Sequence, residues 1–249
     1  MLTRRAFTGA LAGSLAAAEP PRIAVIALPA GAPVPPAIAA TAVVFTRAYF
    51  ACPDPALAPA VLLSGRYPHG KGPALFQPAP DPAAPVAIFI GAARQDSPSE
   101  SACRVALAIR HPKLAAGRVF DFPISTVDIA PTLLTLVGVE PPDNLPGRDL
   151  SALLAAGEGA RPESIYSEGG LASPGEWRMM VRGLDKIVVR RNLDVLHLYN
   201  LGEDPYELED LSREIGFRLK VDELKALVRI WMRRTSDGMD PSGLRRRKS

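Results

Sequence analysis

The sequence predicts an α/β fold: a mostly parallel sheet flanked by helices, followed by a smaller C-terminal antiparallel sheet with one helix. Three observations carry this. Residues 23–28 (IAVIAL), 86–90 (VAIFI) and 105–109 (VALAI) are short continuous apolar runs, the pattern of parallel strands buried on both faces. Helical segments alternate with them, which calls for a sheet covered on both sides. Beyond about residue 160 the runs become short strands separated by turns, as in an antiparallel meander.

The elements follow in order. Residues 56–63 form an Ala/Leu-rich helix candidate. Asp54 followed by Pro55 makes a good helix start, but Pro59 would disturb a helix begun there, so a start near Ala58 is the alternative. Ser125-Thr126-Val127-Asp128 has capping-box character ahead of the run IAPTLLTLVG, with Gly138 at its end and Pro131 in the tolerant first turns. Strands are expected at 164–167, 177–182, 186–191 and 196–200, with Gly183-Leu184-Asp185 as a turn. In 221–234, Leu224, Leu227, Val228 and Trp231 share one helical face. The organisation expected is a signal peptide (1–18), an abbreviated α/β domain (19–158), an antiparallel subdomain with a helix (159–240) and a basic tail (241–249).

Composition narrows the function classes. Of 249 residues, 47% are hydrophobic and 22% charged, which excludes wholesale disorder. No run of about 18 apolar residues exists, so no transmembrane helix is expected. Arg4 and Arg5, a mild Ala/Gly-rich stretch and Ala16-Ala17-Ala18 read as a twin-arginine-type signal with its cleavage site, implying export to the periplasm or beyond. The bland alternative is a short buried helix, which would bury little area. That segment holds two arginines and no acid, so its removal takes the net charge from +3 to +1. Arg245, Arg246, Arg247 and Lys248 supply the remaining excess, so the basic balance marks two ends and gives no reason to expect nucleic acid as a partner. The only two cysteines, Cys52 and Cys103, are able to pair in an oxidising compartment, but they make no disulfide framework and no zinc site on their own.

Three blocks in this order resemble the sulfatase family of the alkaline-phosphatase-like superfamily. Residues 45–72 (FTRAYFACPDPALAPAVLLSGRYPHGKG) look like the segment F-x-x-A-Y-x-x-x-P-x-C-x-P-S-R-x-x-L-L-T-G-R-Y-P-H. Residues 104–154 resemble the stretch before the family's C-terminal subdomain. Residues 177–211 (WRMMVRG…LHLYNLGEDPYELEDL) look like its closing hairpin with the Asp-Pro-x-Glu motif. The resemblance implies a larger α/β domain with a smaller antiparallel one, and sulfuric ester hydrolysis by a hydrated formylglycine at a helix N-terminus. It also implies a divalent cation, usually calcium, held by hard oxygen ligands, and a clamp of basic side chains around a sulfate.

Carried over residue by residue, these features are missing. The nucleophile slot is Pro55, which has neither hydroxyl nor thiol, and the next motif slots hold Leu57, Ala58 and Pro59. Cys52 lies three residues early in an unlike context; its other reading is a small buried thiol. The metal slots after the first strand hold Pro29 and Ala30, and those after the later strand hold Ala92 and Ala93. Neither calcium nor formylglycine is therefore expected. The acids left in this half, Glu19, Asp54, Asp81, Asp96 and Glu100, form no ligand pattern, unless Asp54, Asp96 and His69 converge in an unrelated arrangement. Arg66, His69 and Lys71 are candidate donors to a sulfate or another anion, against the reading that Gly65–His69 is simply a packed turn. Asp128, Asp149, Asp204 and Glu207 read as caps and hairpin contacts, and Trp177 and Trp231 as core. Three functions compete: an exported, catalytically silent sulfatase-like protein; an ester hydrolase with relocated residues, for which Cys52 and Asp54 are the weak candidates; and a non-enzymatic module for sulfated or anionic glycans.

Overall fold

The computed structural model describes residues 21–70 and 72–237. The signal peptide, the basic tail and Lys71 lie outside the described residues. The first sheet is built from β1 (Arg22–Leu28), β2 (Val43–Tyr49), β3 (Gln77–Ala79), β4 (Ala87–Gly91), β5 (Arg104–Arg110), β6 (Val119–Phe120) and β7 (Ile124–Ser125). Its order is β3-β1-β4-β5-β2-β6, with β7 also on β2. The β1–β3, β1–β4, β2–β6 and β2–β7 pairs are parallel. β5 runs antiparallel to both its neighbours, β4 and β2, which corrects the parallel reading of VALAI. The physical reason is simple: a continuous apolar run reports burial on both faces and is silent about the direction of the neighbours. β2, inside the FTRAY motif, is a further strand that the hydrophobic runs alone do not single out. β3 opens the Pro/Ala-rich stretch between His69 and Val86 as an edge strand, a position that tolerates Pro78.

Short helices fill the connections: α1 (Pro36–Ala39), α2 (Ala58–Ser64), α3 (Glu100–Cys103), α4 (Ile129–Leu136) and α5 (Ser151–Ala156). α2 begins at Ala58, as Pro59 requires, and Gly65 closes it in the left-handed conformation, φ 62°. Asp128 accepts the backbone N–H of Ser125 at 3.0 Å ahead of α4 and that of Arg148 at 2.7 Å. This one buried carboxylate therefore joins the start of α4 to the Gly147-Arg148-Asp149-Leu150 segment. Thr132 Oγ1 reinforces the joint by accepting from Leu150 N at 3.0 Å.

The second sheet, β11-β10-β9-β8, is antiparallel throughout: β8 (Ser164–Gly169), β9 (Trp177–Arg182), β10 (Asp185–Arg190) and β11 (Val195–Asn200). A tight Gly183-Leu184 turn joins β9 to β10, pairing Arg182 with Asp185. Both faces are covered. One packs Met180, Ile187, Val189 and Leu198 against Leu224, Val228 and Met232 of α6 (Arg218–Arg234) and against Tyr67. The other packs Trp177, Met179, Val181 and Val188 against Tyr49 and Cys103 of the first unit. No described helix is long and apolar enough to cross a membrane.

The second face buries a charge. Lys186 has no exposed surface, and its ammonium pairs with Glu207 of the Asp204-Pro205-Tyr206-Glu207 loop and lies 3.8 Å from Glu100. Glu207 also accepts the backbone N–H of Glu100 at 2.8 Å, and Tyr49 donates to Glu100 at 2.9 Å. Tyr49 and Glu100 belong to the first sheet unit, and Lys186 and Glu207 to the second, so this cluster ties the two together.

Two measurements follow from this packing. A Cβ on Gly147 would lie 2.1 Å from the Val127 carbonyl oxygen, so Gly147→Ala is expected to lower unfolding stability by about 1–3 kcal/mol in a urea titration. Glu207→Ala removes the close partner of the buried Lys186 ammonium, leaving only Glu100 at 3.8 Å, and is expected to cost about 3 kcal/mol in the same titration.

Candidate functional site

The sequence places the family's chemistry at the start of α2 and at the carboxyl ends of β1 and β4. At α2, Asp54 Oδ1 accepts from Ala56 N at 2.7 Å and from Leu57 N at 3.3 Å, and the Asp54 carbonyl accepts from Ala58 N at 2.8 Å. Asp54 is thus occupied in shaping the turn that leads into the helix, with Pro55 exposed on its outer side. Cys52 is fully buried beside Val61, Tyr67 and Tyr166. Burial first, with the negative charges of Asp96, Glu168 and Asp54 added, pushes its thiol up to about 12, so it is protonated at neutral pH and a poor nucleophile. Cys52 and Cys103 both remain thiols.

At the strand ends, Pro29, Ala30 and Gly31 turn back through a 3.1 Å bond from Ala32 N to the Pro29 carbonyl, and Ala92 N bonds Leu28 O at 3.1 Å. The cation at this edge is a side chain: Arg94 Nη1 lies 3.0 Å from where a Gly31 Cβ would stand. Arg94, Gly31 and Ala92 line a cavity of about 730 Å³, whose one carboxylate, Glu100, is already engaged with Tyr49 and Lys186. Four oxygen-poor slots beside a guanidinium offer a dication no hard-ligand cage.

The candidate anion donors are partnered. Arg66 donates to the Asn144 carbonyl at 3.1 Å and to Asn144 Oδ1 at 2.5 Å. His69 Nδ1 lies 2.7 Å from Glu168 Oε2, and its Nε2 lies 3.0 Å from the Thr235 carbonyl. The Gly65–His69 turn is also packed: Tyr67 is buried, its hydroxyl donates to the Tyr166 carbonyl at 3.2 Å and accepts from Trp231 Nε1 at 3.1 Å, and its ring stacks on His69. Asp96 accepts from Gly170 N at 2.7 Å. The structure therefore does not gather Asp54, Asp96 and His69. Among the described residues the donors that converge are His69, Glu168 and Asp237, whose ligand atoms lie within 4.8 Å of one another.

Around that group the described residues gather further charges. Glu168 on β8 stands directly opposite Arg178 on β9, with Nε 3.7 Å from Oε2. Arg178 grips Asp237 with both Nε and Nη2, the latter at 2.9 Å from Oδ1. Tyr166 donates to Asp237 Oδ2 at 2.8 Å. Asp237 reaches inward because the chain reverses after α6. Ser236 takes the left-handed conformation at φ 57°, and Asp237 N bonds the Met232 carbonyl at 3.0 Å. Burial alone would lower the His69 pKa, but the hydrogen bond and charge of Glu168, the charge of Asp237 and the Thr235 carbonyl together raise it. Burial alone would raise Asp237, but the Arg178 hydrogen bond and charge, with His69, hold it below its usual range. Two anions thus face two cations, and a doubly donating imidazolium has no lone pair with which to act as a base.

Glu168, Arg178 and Asp237 are absent from the residues singled out in sequence. The available signal was period two: Tyr166 and Glu168 share a face of β8, and Arg178 interrupts the apolar run of β9 ahead of its terminal Arg182. Trp177 is core as expected, whereas Trp231 is half-buried and holds Tyr67.

No protein-family profile matches the chain, and no curated protein does. Solved structures do. BT4656, in complex with its substrate D-glucosamine-2-N,6-O-disulfate, matches with TM-score 0.55 and 22% identity over 63% of this chain and 35% of its own. The phosphonate monoester hydrolase of Agrobacterium radiobacter matches with TM-score 0.51 and 22% identity over 58% of this chain and 35% of its own. BT1596, a 2-O GAG sulfatase, matches with TM-score 0.53 and 19% identity over 64% of this chain and 38% of its own, so the fold is that of the sulfatases. Ps i-CgsB, in complex with k-i-k-neocarrahexaose, matches with TM-score 0.60 and 13% identity over 91% of this chain and 95% of that one. The chain spans about a third of the length of the sulfatase-fold structures BT4656 and the phosphonate monoester hydrolase.

The His69 charge sets a pH dependence. With its pKa raised on folding, the imidazolium stabilises fully below the ordinary histidine value near 6.5 and the gain is lost as pH rises through the raised value. With chelator present, the urea midpoint is expected to fall between pH 6 and pH 9, and His69→Gln is expected to flatten that part of the slope.

Proposed function

We propose that this chain is an exported, catalytically silent sulfatase-fold protein. It keeps the scaffold of sulfuric ester hydrolases without their formylglycine and calcium chemistry. The observation that carries this reading is the placement of Arg94 over Gly31 at the strand ends, among Pro29, Ala30, Ala92 and Ala93, where the resemblance calls for a dication. Pro55 supports it: a covalent nucleophile must be positioned closely, and no hydroxyl or thiol stands in that slot. Cys52 and Asp54 offer no substitute, one a buried neutral thiol and the other a turn carboxylate. Loss of the catalytic groups with retention of the packed turn and hairpin leaves ligand binding as the remaining role of the scaffold. Sulfated or anionic glycans are the class suggested by the carbohydrate complexes of BT4656 and Ps i-CgsB. A cavity of about 500 Å³ lined by Arg66, His69, Asn144 and Arg234 favours that class, although Arg66 would exchange its Asn144 contacts for the ligand.

Purified protein incubated with calcium and an aryl sulfate or aryl phosphate is expected to show no turnover above buffer. Calcium alone is expected to leave the Tm unchanged, since a ligand confined to the native state must raise it. Turnover abolished by Cys52→Ala or Asp54→Asn would establish relocated catalysis instead. Saturable binding of a sulfated glycan, weakened when Arg66 is neutralised, would support the glycan-binding role.

A further inference from the structure

We propose that His69, Glu168 and Asp237 form a binding site for a divalent zinc-type cation, distinct from the family's calcium position, that clamps the chain after α6 onto the Gly65–His69 turn. The three donor atoms, one imidazole nitrogen and two carboxylate oxygens, already lie within 4.8 Å of one another, and three protein ligands of this mixed type suit zinc, leaving a fourth position for water.

The surrounding contacts are those that orient metal ligands. The Thr235 carbonyl takes His69 Nε2–H at 3.0 Å, which fixes the ring and aims Nδ1 inward. Asp237 is oriented by Arg178, which bonds both its oxygens, and by the Tyr166 hydroxyl at 2.8 Å from Oδ2, so a cation would take over part of the Arg178 contact at Oδ1. Glu168 is set by the β8–β9 ladder. Tyr67 stacks on the imidazole with 4° between the planes, limiting its rotation.

Access and charge agree. A cavity of about 390 Å³, lined by His69, Arg178, Ser236 and Asp237, opens onto the group and has room for water. With His69 neutral, two carboxylates and one guanidinium leave a single negative charge to meet the cation. Binding forms a bond from zinc to Nδ1 and breaks the Nδ1–H bond that faces Glu168, the proton passing to buffer. Cys52 and Cys103, buried and protonated, do not compete. Calcium is disfavoured because it takes six to eight oxygen ligands. A zinc response without a calcium response therefore separates this inference from the silent-enzyme reading.

The test uses the full chain stripped with chelator, at pH 8. Zinc is expected to bind at one per chain by calorimetry and to raise the Tm, with His69→Gln and Asp237→Asn each weakening affinity at least tenfold. His111→Ala and His197→Ala, at the chain's other two histidines, should leave it unchanged. Stoichiometric binding that survives in His69→Gln or Asp237→Asn, or no zinc-dependent rise in wild type, overturns the proposal. Should those variants fail to fold, cobalt(II) loaded into wild type decides: nitrogen–oxygen visible bands support it, and a thiolate charge-transfer band overturns it.

Discussion

A guanidinium almost without contact with water needs carboxylates around it, and Arg178 brings them from three directions. Glu168 comes from the neighbouring strand, Asp237 from beyond α6, and Glu176 lies 3.2 Å away on the approach to β9. Two of those anions then draw in His69 from the turn after α2. The charge of one side chain thus sets where four separate segments meet. Desolvating such a group costs several kcal/mol, which only close pairing returns. The arrangement is consequently better suited to fixing a unique packing of the C-terminal unit than to adding stability.

The opposite face of the same sheet repeats the logic with different residues. Lys186 stands where an apolar residue would serve for packing, and Glu207, Glu100 and Tyr49 close around it. One face is locked to the turn after α2 and to α6, the other to β2 and α3. A scaffold with a few charge-bearing pegs keeps its two sheets in register even where helices are short.

Much of this was legible in the sequence, for identifiable reasons. The apolar runs of β1 and β4, the proline-shifted start of α2, the Ser125–Asp128 cap and the β8–β11 meander each follow from local patterning. The direction of β5 did not, because it depends on a route through space between residues 91 and 104. β2 was hidden because Thr46 and Arg47 break its apolar run. Which residues stand in the slots of the family's motifs was readable one by one: Pro55, Pro29, Ala30, Ala92 and Ala93. The ionic group was not: Glu168, Arg178 and Asp237 are distant in sequence, and only sheet register and the Ser236 reversal bring them to His69.

β3 carries a last consequence. Gln77 points its N–H toward the first strand, bonding the Pro21 carbonyl at 2.9 Å, so the outward-facing position of this three-residue edge falls to Pro78. Proline offers no donor there. The rim of the larger sheet is therefore a poor template for a further strand, and at high concentration the protein is guarded on that side against growing into β-ribbons.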